Sequence, residues 1–388
     1  MLLPAMAMGQ YITLWHNDKG SSLQFDVDRL WSYNLYEHSR WGGGLKYDIA
    51  LKGKTFDILS LDGYVAYGCE DRRFKWGAKA DFQGYAPGKS HSYIEFFHDL
   101  TNDGSRSLNK YSIRDFTASG SFMTRLFSDT YRLTIGNCTR AKHNHVFGVE
   151  LRLSHERYMW GGINLAEWND FLSQNYLEGH LYFSNTSGWK GDLAAGYTTG
   201  IEADSMLFVR VLTQFDHLYS FSVFNIHLFL QGGLTSLAVP YSRMFDLGGT
   251  FGAPLYFRNS LLTARPNEFT ANTFAFLSLR FGPSNPLCRL WSPLLQMGTY
   301  PVPFVALHAA WGHLWGQRDD GRLWDSLELQ APHLGIGEAI AGVDGLFRWG
   351  LVDWGVAVAY RLTPPQAPYH FTQTQDNLAL LVTAALIF

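Results

Sequence analysis

Phe74-Lys-Trp-Gly-Ala-Lys-Ala-Asp-Phe-Gln83 decides how the rest of the chain is read. Phe74, Trp76, Ala78, Ala80 and Phe82 alternate with Lys75, Gly77, Lys79, Asp81 and Gln83. Successive side chains of a strand point to opposite faces, so one face here is apolar and bounded by aromatics, and the other carries three charges. The same alternation returns elsewhere. Leu45, Tyr47, Ile49 and Leu51 oppose Lys46, Asp48, Ala50 and Lys52, and Phe147, Val149, Leu151 and Leu153 oppose Gly148, Glu150, Arg152 and Ser154. Trp189 to Tyr197 opposes Lys190, Asp192 and Thr198, and Val352 to Leu362 opposes Asp353 and Arg361.

Length separates a membrane strand from a strand of a soluble sandwich. A tilted strand needs about 9–11 residues to cross a bilayer, whereas sandwich strands average about five or six. The apolar faces end in Trp, Tyr or Phe, as at Trp76/Phe82, Trp189/Tyr197 and Trp354/Tyr360. That placement suits aromatic girdles at two interfaces, and mid-strand charge on the opposite face is cheap only beside water or a partner. The expected fold is therefore all-β, a transmembrane antiparallel β-barrel of about 16 strands, with two either way. The expected strands are residues 10–17, 22–32, 43–52, 57–68, 73–84, 91–99, 111–121, 130–138, 145–155, 178–185, 189–198, 205–215, 220–231, 269–281, 301–311, 334–342, 351–361 and 377–388, one or two of them in excess. Longer irregular stretches fall at 156–177, 232–268, 282–300, 312–333 and 363–376. The 232–268 stretch contains Pro240, Gly248-Gly249, Pro254 and Pro266, is too long for a hairpin and is expected to fold inward or cap the lumen.

Composition agrees with this class. Aromatic residues make up 16% of the 388 and charged residues only 17%, and the formal net charge of -3 gives no electrostatic reason for a nucleic-acid partner. No charge-free apolar run is long enough for a transmembrane helix. Three distant cysteines, Cys69, Cys138 and Cys288, suggest neither a disulfide framework nor a zinc site. Residues 1–9 read as the remnant of an export signal or a linker, with Leu2-Leu3 and Ala5-Met6-Ala7 resembling the end of its apolar core and a cleavage site. Residues 10–388 then form a single barrel domain. The closing run Asp376-Asn-Leu-Ala-Leu-Leu-Val-Thr-Ala-Ala-Leu-Ile-Phe388 alternates to its end, and Phe388 resembles the C-terminal assembly signal of outer-membrane barrels.

Three blocks resemble a largely uncharacterised family of Bacteroidota outer-membrane proteins. They are Arg40-Trp-Gly-Gly-Gly-Leu45-Lys-Tyr with Gly63-Tyr64-Val-Ala-Tyr67-Gly68 and Arg73-Phe-Lys75-Trp-Gly77; Phe257-Arg-Asn259 through Pro266-Asn-Glu268-Phe269 into Thr273–Phe281; and Pro286-Leu through Leu294-Leu295, Gly335-Ile336-Gly337-Glu338, Phe347-Arg-Trp349 and Tyr360-Arg361-Leu362. Fuller members of that family begin with a carboxypeptidase-regulatory-like sandwich, which this sequence lacks. Glu338-Ala-Ile-Ala-Gly342 also departs from the family's more regular closing pattern. The family is distantly similar to the outer-membrane assembly factors and two-partner secretion transporters, whose Arg-Gly-Tyr loop motif and periplasmic repeats are missing here.

The expected lumen-facing charges are Lys46, Asp48, Lys75, Lys79, Asp81, Glu150, Arg152, Lys190, Asp192, Arg210, Asp353 and Arg361. Their mixed signs suit structural pairing, with a charge-lined pore as the rival reading. Ala357 shares the face of Asp353 and Arg361, so arginine at Ala357 should be tolerated where arginine at Val356 is not. His143-Asn144-His145 is the densest histidine cluster and lacks a further ligand at a recognised spacing, so no metal or cofactor is expected. A lipid-facing hydrolase would need Ser and His side by side and a third polar group. Ser154 and His155, adjacent on one strand, point to opposite faces and do not pair. An Asn/His/Ser set converging at one depth on the lipid face would mark an enzyme. The leading expectation is a noncatalytic outer-membrane barrel for transport or envelope assembly. It would have outer-membrane lipid and the barrel assembly machinery as partners, with a periplasmic or surface protein partner open. A lipid-acting barrel enzyme and an adhesive surface barrel are the alternatives.

Overall fold

In the computed structural model the described residues are 11–18, 20–26, 29–32, 39–51, 56–84, 90–102, 104, 106, 108, 126–141, 145–160, 173–200, 205–237, 239–249, 256–264, 268–284, 301–314, 334–349, 352–363 and 377–386. They fall into two compact units. The first comprises Met1–Phe116, Thr124–Thr213 and Thr235–Met244, and the second Thr117–Met123, Gln214–Leu234 and Phe245–Phe388.

The first unit contains β1 (Tyr11–His16), β2 (Ser22–Asp26), β3 (Trp31–Ser32), β4 (Arg40–Ala50), β5 (Ile58–Gly68), β6 (Phe74–Gln83), β7 (Ser90–Asn102), β8 (Leu126–Arg140), β9 (Val146–Trp160), β10 (Ser173–Ser184), β11 (Trp189–Gly200) and the first half of β12 (Met206–Ser220). The second contains the rest of β12, nearly all of β13 (Phe224–Thr235), and β14 (Phe245–Asp246), β15 (Thr270–Ala271), β16 (Thr273–Pro283), β17 (Val302–His313), β18 (Ile336–Trp349), β19 (Val352–Arg361) and β20 (Leu378–Leu386). Every ladder is antiparallel. In the first unit β1 pairs with β2, β2 with β4, and each strand from β4 to β11 with the next. In the second, β13 pairs with β16, and each strand from β16 to β20 with the next. With β3, which pairs with β4, and with β12, the main sheet of the described residues counts eighteen strands, at the upper end of the expected range, and β14 and β15 form a separate ribbon.

The differences from the alternation pattern lie at strand ends. The expected strand at 22–32 is two pieces, because Arg29 folds back onto Asp26 at 3.3 Å and over the Tyr64 ring at 3.7 Å. The whole of the expected strand at 111–121 lies outside the described residues, as do residues 1–9 and Phe388. β9 runs on to Trp160 and β10 begins at Ser173, so both ends of the stretch expected to be irregular are strand.

Burial is inverted relative to a soluble protein. Lys75, Glu156 and Glu338 are fully covered, whereas Phe74 is 65% exposed and Leu181 56%. The exposed face of β9 is Phe147, Val149, Leu151 and Leu153, and its covered face is Gly148, Glu150, Arg152, Ser154 and Glu156. Water penalises bare apolar area of this extent, and a hydrocarbon surround does not. This is the plan of a transmembrane β-barrel.

The covered face is not uniformly wet. In the second unit Ala357 and Ala359 pack with Leu262, Phe304, Ala306, Ile340, Ala379 and Leu381. Arginine at Ala357 therefore has nowhere to go, which overturns the expectation that this face tolerates it. In the first unit small residues make room for rings. A Cβ on Gly196 would lie 2.3 Å from the Phe208 ring, and one on Gly136 would lie 2.4 Å from Tyr93. Overpacking of this kind costs about 1–3 kcal/mol. Gly196→Ala should lower the temperature at which the folded protein loses its fast gel mobility, and an unchanged temperature would contradict the packing.

Candidate functional site

The site is built on the covered face of the first unit, where the chain after β13 returns. A 3-10 turn at Tyr241–Arg243 presents Arg243 to two neighbouring strands. Its Nη1 and Nη2 donate to the Glu156 carboxylate at 2.8 Å each, and its Nε and Nη2 donate to Glu178 at 2.9 and 2.8 Å. Glu156 on β9 and Glu178 on β10 share the covered face, so one guanidinium satisfies both carboxylates in bidentate fashion. The guanidinium also lies 3.9 Å from the centre of the Tyr176 ring. Burial alone would disfavour its charge, but Glu156 and Glu178 hold it well above its ordinary pKa, and Arg243 stays cationic. The rest of the turn is held as firmly. Ser242 Oγ lies 3.2 Å from the Tyr158 hydroxyl and 3.0 Å from that of Tyr176, Gly104 N donates to Ser242 O, and Arg210 Nε donates to Arg243 O.

The second unit receives the following stretch by other means. Leu262 N and Thr263 N donate to the Glu338 carboxylate at 2.7–3.0 Å, and the Thr263 hydroxyl donates at 2.5 Å. Arg361 donates to Thr263 O at 2.9 Å and lies 3.5 Å from Glu268. Phe245 is buried against Phe274, and Tyr256 N donates to Val382 O. The described residues of the stretch expected to fold inward that make these contacts, 242, 243, 245, 256, 262, 263 and 268, thus lie on the covered face, each on the unit to which it belongs.

All twelve charges singled out by alternation occupy covered-face positions, and six of them pair within two residues on one strand. Lys46 pairs with Asp48 at 3.2 Å, Lys79 with Asp81 at 3.0 Å and Arg152 with Glu150 at 2.5 Å, each pair two positions apart on one strand. Lys75 pairs with Asp71, Asp192 lies 3.1 Å from His180, and Asp353 takes Arg348 at 2.8 Å. Lys190 sits on the covered face beside Asp192. The reading of the sequence missed Glu156, Glu178 and Arg243. Extending the alternation of β9 by one residue would have placed Glu156, and Glu178 already opens the strand expected at 178–185.

The outward face of the first unit holds a polar set that alternation could not assemble. His155 on β9 is paired in register with Asn175 on β10, and Ser173 lies one step away on the same face. Ser173 Oγ lies 3.3 Å from His155 Nε2, and His155 Nδ1 lies 2.9 Å from Asn175 Oδ1. Of the histidine cluster His143 and Asn144 lie outside the described residues, and His145 stacks near Phe183.

No protein-family model matches the chain, and no curated protein matches it in sequence. Solved structures do. CdiB from Acinetobacter baumannii is similar over 85% of this chain at 8% identity and a TM-score of 0.43, and the chain spans about half of its length, 54%. The outer membrane protein OpdK from Pseudomonas aeruginosa is similar over 88% of this chain and 93% of its own, at 12% identity and a TM-score of 0.29. OccK2 (OpdF) from the same organism, solved in complex with glucuronate, is similar over 83% of this chain and 86% of its own, at 11% identity and a TM-score of 0.26.

Proposed function

We propose that the chain is an outer-membrane β-barrel for transport or envelope assembly, whose lumen is closed at rest by its own residues 239–249 and 256–264. The observation behind this reading is the double carboxylate clasp on Arg243. A buried cation held by two carboxylates from adjacent strands fixes a loop to a wall, and a surface loop free to reach partners needs no such anchor. Within-strand ion pairs on the covered face leave the wall nearly neutral, which suits a filled lumen better than a selectivity ring.

The test is conductance in planar bilayers. The intact protein should conduct little. Deletion of residues 240–265 should give large steady currents, whose ion selectivity weakens as salt screens the lumen charges over a Debye length of about 10 Å at 0.1 M. Large current from the intact chain would overturn the closed reading, and no current from either form would remove transport through the lumen.

A further inference from the structure

We propose that Ser173, His155 and Asn175 form a hydrolase site on the outward face, acting on the acyl ester of a glycerolipid in the surrounding membrane. The geometry is that of a nucleophile, a base and an orienting group. Asn175 Oδ1 accepts from His155 Nδ1–H at 2.9 Å, which fixes the tautomer and leaves Nε2 as an acceptor. Ser173 Oγ lies 3.3 Å from that Nε2 and donates its proton there. The three side chains come from two strands locked in register over twelve residue pairs, so a rigid ladder holds them rather than a loop.

Position selects the substrate. Outward residues of β9 run Phe147, Val149, Leu151 and Leu153 before His155 and Arg157. Those of β10 run Leu181, Gly179 and Leu177 before Asn175 and Ser173, and β8 reaches Tyr131, the register partner of His155. The change from apolar to polar falls at one ladder level on neighbouring strands, and the triad sits one step beyond Leu153 and Leu177. In a bilayer that level is the boundary between hydrocarbon and headgroups, where the ester carbonyls of glycerolipids lie and where water reaches. Arg157, the register partner of Ser173, adds a positive charge on this face for a lipid phosphate or a developing oxyanion.

The reaction balances with water alone. Ser173 Oγ attacks the ester carbonyl while its proton passes to His155 Nε2. The bond to the glycerol oxygen breaks, and that oxygen takes the proton from His155. Water then attacks the acyl-serine, giving its proton to His155, and the fatty acid leaves as Ser173 regains its proton. Ser173 and His155 are the catalytic residues. Asn175 is a positioning residue.

The experiment uses the folded full-length protein in mixed micelles containing phosphatidylethanolamine with a labelled acyl chain. Released fatty acid is measured, and a fluorophosphonate probe is mapped by mass spectrometry. Ser173→Ala and His155→Ala should each lower release by about 10³-fold or more, and Ser173→Ala should abolish labelling. Asn175→Ala should lower release at least about 10-fold, and Asn175→Asp should restore much of it because the carboxylate still accepts from Nδ1. Ser187→Ala, in a turn at the far end of β10, should change nothing. All five variants should keep the heat-modifiable folded form, because the residues changed are surface groups. No fatty acid release and no labelling by the folded wild type, or release and labelling that survive Ser173→Ala, would overturn the site.

Discussion

Arginine in place of Leu151 should abolish the heat-modifiable folded form, while arginine in place of Gln83 should leave it nearly intact. Leu151 lies mid-strand on β9, 47% exposed, with Ile135 and Gly179 as its register partners on either side. Arginine on the lipid face near the midplane costs about 2–4 kcal/mol, a large part of a marginal folding balance. Gln83 is half-buried on the opposite face, its amide 3.2 Å from Asp81 Oδ2, so a guanidinium there meets a carboxylate. The measurement is the folded fraction on unheated gels after membrane fractionation. Equal yields for the two variants would reverse the assignment of faces.

The second large effect concerns closure. Arg243→Ala leaves Glu156 and Glu178 covered and facing one another, and breaking one member of a buried ionic group typically costs about 3–5 kcal/mol. The unit relieves that cost by releasing the turn, so Arg243→Ala should raise single-channel conductance toward that of the 240–265 deletion. Restoring the chemistry should restore closure. Glu178→Gln combined with Arg243→Met leaves Glu156 paired with Arg132 at 3.1 Å and no second carboxylate to repel it. Current from the double variant should therefore fall back toward that of the wild type. If Arg243→Ala stays as silent as the wild type, the clasp is not what closes the lumen.

Much of this architecture is legible in the sequence because membrane strands expose one face to lipid over about ten residues, which leaves a period-two trace. The run from Phe74 to Gln83 shows it without help from any neighbour. The covered position of the twelve charges follows from the same parity. Their partners are legible only in part, since Lys46/Asp48 and Glu150/Arg152 sit two residues apart, whereas Arg243 finds Glu156 and Glu178 across 87 and 65 residues. Loop length and its Pro and Gly content marked the inward stretch, but not its point of attachment. The packing over Ala357 was hidden because the residue that covers it, Leu262, comes from that stretch. The Ser173, His155 and Asn175 set was hidden for a different reason. Parity says that Ser154 and His155 diverge, and only the register of β9 against β10 says what His155 meets.

The pairing of Lys46 with Asp48, Lys79 with Asp81 and Glu150 with Arg152 has a consequence for how such a wall is put together. Each of these strands brings its own counter-charge, two residues along the same edge, so its covered side is locally neutral before any neighbour arrives. A hairpin laid down early does not have to wait, half-finished, for a later one to cancel an isolated ion in a thinning layer of water. The order in which hairpins join is thereby freed from electrostatic debt, and β4, β6 and β9 can be added in sequence as self-sufficient pieces.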